Sequence, residues 1–293
     1  MRLKTNNRPT MTYSRLFCVA ALLFLAACAS PSKRFDRQAA ELGFDKQEWL
    51  GDGFTHTLFK NKPLQDSSKL HVYLGGDGIP WLRRNRIALD PTPRDPLGLR
   101  LMALDDNPSV YLGRPCYHGQ DNSPACSPLL WTYERYSSAV VDSMAVVIEK
   151  LLDSGGYEGL VMVGFSGGGG LAMLLAPKLS QTSQVVTLAG NLDIQTWTSL
   201  HDHGALLGSI NPSEQPPLDG TIQQFHLAGG KDENIPPWVV EVAVENQPNS
   251  QFITFDDFDH NCCWEKIWKS MLQCLAESCK WSHQQAAAVS AHP

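Results

Sequence analysis

The chain has 293 residues, 24 Lys and Arg against 30 Asp and Glu, and a formal net charge of −6. An acidic chain without a Lys and Arg cluster of the size that phosphate backbones demand excludes a nucleic-acid partner. The first fifteen residues carry Arg2, Lys4, Arg8 and Arg15 with no acid, and 16–27 is an apolar run too short for a comfortable membrane span. That pattern predicts a secretion signal over 1–27.

The segment ends Leu25-Ala26-Ala27-Cys28, which resembles the lipobox of bacterial lipoproteins. The resemblance implies cleavage before Cys28, which then carries a diacylglyceryl thioether and an amide-linked acyl chain as a membrane anchor. Ala29 at the next position, in place of an aspartate, implies sorting to the outer membrane with the body facing the periplasm. Loss of 1–27 removes four cations and no acid, taking the net charge from −6 to −10. Residues 28–52 are then expected to be the lipidated N-terminus and a polar tether.

From there strand and helix signals alternate over 53–280, one domain of the size usual in α/β folds. Short apolar or β-branched runs at 54–59, 70–74, 110–112, 160–163, 185–188, 224–227 and 252–255 predict strands. Helices are predicted at 97–104, 137–152, 171–179, 238–246 and 263–279; in the second, Val140, Val141, Met144, Val147, Ile148 and Leu151 share one face. Such alternation predicts a mainly parallel, doubly wound sheet covered on both faces. Residues 191–220, rich in Gly, Pro, Ser and His, are expected to be a short lid, and 281–293 a flexible tail.

Six cysteines remain beyond Cys18 and Cys28, an even number in an oxidising compartment. Cys116 and Cys126 flank a short loop and are expected to pair locally. Cys262 and Cys263 are expected to reach back to Cys274 or Cys279. Adjacent thiols lack the usual two-residue gap of a zinc site, so His260, Cys262 and Cys263 are not read as metal ligands.

The stretch Gly164-Phe165-Ser166-Gly167-Gly168 sits between an apolar strand and an apolar helix, the setting in which a serine on a sharp turn serves as a nucleophile. A serine hydroxyl needs a base to take its proton and an acid to orient that base, in the chain order Ser, Asp, His. Asp232 follows the 224–227 strand and His260 follows the last strand, both at strand carboxyl ends where open α/β sheets place their sites. Asp193, just after the 185–188 strand, is the competing acid. Two oxyanion donors are expected, the N–H of Gly167 and that of Gly76 or Asp77 in the glycine-rich turn after the 70–74 strand.

Together these segments resemble the α/β-hydrolase superfamily over about 53–280, and Gly76-Asp77-Gly78, 90–96, 111–116, 131–137, 190–193 and 260–264 resemble a bacterial group within it. The resemblance implies an eight-stranded sheet, one strand more than predicted above, and a Ser-His-Asp hydrolase working through an acyl-enzyme with no metal or organic cofactor. Carboxylic esters, small or lipidic, are the expected substrates; amides, peptides and thioesters are the alternatives, as is a non-catalytic envelope lipoprotein on the same fold. Arg114 either holds a substrate carboxylate or pairs with an acid such as Asp77. Trp81, Trp131, Trp197 and Trp264 either line an acyl pocket or pack. The oligomeric state is not legible.

Overall fold

A computed structural model of the chain describes residues 30–281; the signal segment, Cys28 and residues 282–293 lie outside the described residues. The chain enters through helix α1 (Pro31–Glu41), capped by the Ser30 hydroxyl and started by a proline, whose Phe35 and Ala39 are buried. Strands β1 (Asp45–Leu50) and β2 (Thr55–Lys60) form an antiparallel hairpin. They are followed by β3 (Lys69–Leu74), a small two-stranded hairpin of β4 (Trp81–Arg83) and β5 (Arg86–Ile87), α2 (Leu97–Met102) and β6 (Ser109–Leu112). Then come α3 (Ser138–Gly155), β7 (Gly159–Phe165), α4 (Gly167–Leu175), β8 (Thr182–Leu188), α5 (Ile194–Leu200), β9 (Gln223–Gly229), α6 (Pro237–Val244), β10 (Ser250–Phe255) and α7 (Trp264–Glu277).

Eight strands form one sheet in the order β1-β2-β6-β3-β7-β8-β9-β10. The β1–β2 and β2–β6 contacts are antiparallel and the rest parallel. Successive side chains of a strand point to opposite faces, so β7 sends Leu160 and Met162 into one core and Val161 and Val163 into the other. Helices α3, α4 and α6 close the first core, and α1, α2 and α7 the second. Ser137 caps α3 at its start and Gly156, in the left-handed region, ends it.

Three expectations change. The stretch read as a tether is folded: α1 and β1 occupy most of it, and β1 is the eighth strand. Its side chains alternate between exposed and half-buried because β1 is an edge strand, so its sequence carries no apolar run. Trp281, placed at the start of the expected tail, is buried in the second core. Cys116 and Cys126 pair as expected, but Cys262 bonds Cys263 and Cys274 bonds Cys279. The reason is the length of α7: eleven residues from Cys263 to Cys274 at 1.5 Å each separate them by about 16 Å, far beyond the Cα spacing of about 4.4–6.8 Å that a disulfide spans. Cys279 lies just past the helix end, with its Cα 5.0 Å from that of Cys274. Among the described residues no helix is long and apolar enough to cross a membrane.

Candidate active site

Strand β7 is buried along its length except at Phe165, and the chain turns sharply at Ser166, with φ 53° and ψ −122°, before α4 begins. Positive φ is strained for a serine, and three bonds hold it: the Ser166 N–H donates to the Leu188 carbonyl, while the Gly169 and Asn191 N–H groups both donate to the Ser166 carbonyl, each at 2.9 Å. Two glycines make the turn sterically feasible. A Cβ on Gly164 would collide with the Gly168 carbonyl, and one on Gly168 with the carbonyls of Leu74 and Gly75.

The loops after β9 and β10 are stitched together by Gly230 N–H to Phe255 O at 2.8 Å and Lys231 N–H to Phe258 O at 2.9 Å. That stitching brings Asp232 and His260 side by side. Asp232 Oδ1 accepts the N–H groups of Asn234 (2.9 Å) and Ile235 (2.8 Å), and its fully buried Oδ2 accepts His260 Nδ1–H at 2.8 Å. The bond fixes the tautomer: Nε2 is left as acceptor, 3.1 Å from Ser166 Oγ. Trp264 Nε1 donates to the His260 carbonyl at 3.0 Å, and the Phe165 ring lies 5.1 Å from the imidazole.

Asn234, which sequence reasoning passed over, also touches His260. Trp197 Nε1 donates to Asn234 Oδ1 at 3.3 Å, which turns the amide NH₂ toward His260 Nε2 at 3.1 Å. His201 Nε2–H donates to the Asn234 carbonyl at 2.7 Å. The only sequence signal was its position two residues after Asp232. The competing acid, Asp193, is committed elsewhere: it caps α5, accepting from the N–H groups of Gln195 and Thr196, and it also bonds Thr196 Oγ1 and Asn211 Nδ2. Those bonds outweigh burial and hold its carboxyl below the usual range.

The turn after β3 lies over the serine; a Cβ on Gly76 would stand 3.2 Å from Ser166 Cβ. Its Asp77 carboxylate is clamped by Arg114 Nη2 (2.8 Å), Arg135 Nη1 (2.9 Å) and the Tyr136 hydroxyl (2.7 Å), while its carbonyl accepts Tyr117 O–H at 2.9 Å. Burial would raise the Asp77 pKa, but the two guanidiniums and the tyrosine bond lower it on balance. Burial likewise pushes the Tyr117 phenol up to about 12, with Arg114 opposing. As the first residue of α4, Gly167 has an N–H with no intrahelical acceptor. Arg114 therefore pairs with Asp77 beneath the turn, buried, and is not on the cavity wall.

A cavity of about 900 Å³ opens over these groups. Ser166, His260, Gly76 and Asp77 line it, as do Trp81 and Trp197. Trp131 and Trp264 do not: both are buried, and Trp131 Nε1 donates to the Ala88 carbonyl at 3.1 Å. Residues 191–220 contain α5, a short 3₁₀ turn at Pro212–Glu214 and irregular backbone between, and they contribute Trp197, His203 and Leu206 to the wall.

No family model and no curated protein matches the chain. Among solved structures it is similar to an alpha-beta serine hydrolase homologue from Coxiella burnetii, at 12% identity and TM-score 0.54 over 80% of this chain and 96% of that one. It is similar to an α/β serine hydrolase without lid from Xanthomonas campestris, at 13% identity and TM-score 0.50 over 80% and 93%. A third is the acylaminoacyl peptidase of Pyrococcus horikoshii, at 12% identity and TM-score 0.58 over 84% of this chain but 44% of the peptidase.

Proposed function

We propose that this chain, which has the α/β-hydrolase fold, is a serine hydrolase that cleaves carboxylic esters through an acyl-enzyme. The observation that carries the reading is the hydrogen-bonded line from Ser166 Oγ through His260 to the buried Asp232 carboxylate, 3.1 and 2.8 Å. In this reading His260 Nε2 takes the Ser166 proton as Oγ attacks the ester carbonyl, and Asp232 steadies the imidazolium that results. The N–H of Gly167 and that of Gly76 or Asp77 hold the oxyanion; each such donor contributes about 2.7–4 kcal/mol in known cases. The protonated imidazole then gives its proton to the leaving alcohol, and water, activated by the same base, releases the acid.

The Asp77 clamp supports this assignment of the oxyanion turn. Donors stabilise a developing charge only if they are aimed before it forms, and a turn tied to Arg114, Arg135, Tyr136 and Tyr117 does not need to reorganise. We place the enzyme on a lipid anchor at Cys28, facing the periplasm from the outer membrane, as the lipobox resemblance implies. A panel of esters of rising acyl length, with thioesters and peptides alongside, tests the reaction class. Ester turnover with a clear length optimum, abolished in Ser166→Ala, is expected; faster peptide or thioester turnover would replace the ester reading, and no turnover of any would end it.

A further inference from the structure

The cavity lining is rich in cations although the chain is acidic. Arg83, Arg84 and Arg94 line it, all three are exposed, and among the described residues none forms an ion pair. The acids on the same wall are largely taken: Asp77 by Arg114 and Arg135, and Asp95 by Arg100, which also binds Glu265. Of the three acids that line the cavity, Asp202 is the one without an ion pair among the described residues. The β4–β5 hairpin sets Arg83 directly opposite Arg86, a like-charge cross-strand pair that destabilises a hairpin when nothing bridges it. The hairpin is nonetheless held in place, by Ala88 N–H to Pro80 O at 2.9 Å, by Trp131 Nε1 to Ala88 O, and by Trp81 against Tyr133 with ring centroids 5.9 Å apart. The segment carrying Arg94 is tied to the oxyanion turn, where Ile79 N–H donates to Pro91 O at 2.9 Å. His203 lines the same cavity, and burial and the charges of His201, Arg135 and Arg84 hold its imidazole below the ordinary pKa.

We infer that the substrate of the Ser166 site is an anionic ester, whose carboxylate or phosphate is held by Arg83, Arg84 and Arg94 while its ester carbonyl meets Ser166. The inference rests on the hydrolase reading and adds the substrate class to it. Planar guanidiniums present paired N–H donors that match the two oxygens of a carboxylate or phosphate, which neutral acyl chains cannot use. An anion at this position also relieves the Arg83–Arg86 repulsion, so binding and hairpin stability reinforce each other.

The test compares kcat/KM for mono-p-nitrophenyl glutarate and for neutral p-nitrophenyl butyrate, using the full chain in detergent. The inference predicts at least a tenfold preference for the anionic ester, falling at least tenfold in Arg83→Gln/Arg84→Gln and partly in Arg94→Gln, and weakening as salt rises. No preference in the wild type, or one that survives the substitutions, overturns it. Calorimetric titration of Ser166→Ala separates this from the hydrolase reading, with mono-p-nitrophenyl glutarate as the carboxylate arm, the acetyl ester of glycerol phosphate as the phosphate arm and p-nitrophenyl butyrate as control. Saturable binding of either anion, lost in the arginine variant, supports the site and names the anion. Binding of neither overturns it. Anion binding without turnover of any ester by the wild type upholds the site and overturns the hydrolase reading instead.

Discussion

At Ser166 the hydroxyl has a base within reach, and that base is oriented by a carboxylate with no exposure to water. The proposed mechanism therefore predicts that Ser166→Ala lowers kcat by about 10⁶-fold, and that Asp232→Asn, which favours the wrong tautomer, lowers it by about 10⁴-fold. Asp193 gives the contrast. Its carboxylate caps α5, so Asp193→Ala is expected to cost about 1 kcal/mol of stability and to leave kcat within a small factor of the wild type. Steady-state kinetics and thermal melts of the three variants check the assignment; a deeper loss of kcat in the Asp193 variant than in the Asp232 variant would reverse it. Sequence spacing named Ser166, Asp232 and His260 because each follows a strand, and it kept Asp193 as a competing acid because that residue follows one too. The choice needs the stitching of the β9 and β10 loops, a contact between segments more than twenty residues apart.

Among the elements, the turn after β3 depends on a buried ion cluster. Asp77→Ala would leave Arg114 and Arg135 uncompensated in the interior, and the expected loss is about 3–5 kcal/mol, measured by denaturant unfolding. The hairpin of β4 and β5 and the edge strand β1 were not legible in the sequence for a shared reason. Both are short or polar and expose most of their side chains, so neither produces the apolar period that betrays a strand. Strands β3, β7, β8 and β9 are buried nearly throughout, and they were legible for the same physical reason. Disulfide partners were half legible: the Cys116–Cys126 loop closes locally, whereas pairing around α7 depends on a helix length that cysteine counting ignores. The Cys262–Cys263 bond lies two residues beyond His260. Reductant is expected to lower ester turnover before the sheet unfolds, read by parallel activity and circular dichroism; unchanged turnover after verified reduction would remove any link between that bond and the base.

Among the described residues, three interior histidines, His56, His118 and His226, are held neutral in the fold. Burial holds His118 and His226 down to about 3, and His56, despite the opposing bond to the Gly113 carbonyl, to about 4. Once unfolded, each returns to about 6.5, so between that value and the folded one the unfolded chain binds more protons. Stability must then fall as pH drops below about 6.5, by about 1.4 kcal/mol per pH unit for each histidine. His226→Gln is expected to flatten the acid limb of a Tm against pH curve by one proton; an unchanged slope would mean His226 already protonates in the fold. The burial of His226 follows from sheet order, which places β9 between β8 and β10, and its place within a strand made a core or hydrogen-bonded histidine the expected outcome. Reaction with a fluorophosphonate, followed by intact mass and peptide mapping, tests the proposed role of Ser166 most directly. The account predicts a single adduct on Ser166 that forms far more slowly in His260→Gln; no adduct, or one whose rate ignores that substitution, would contradict it.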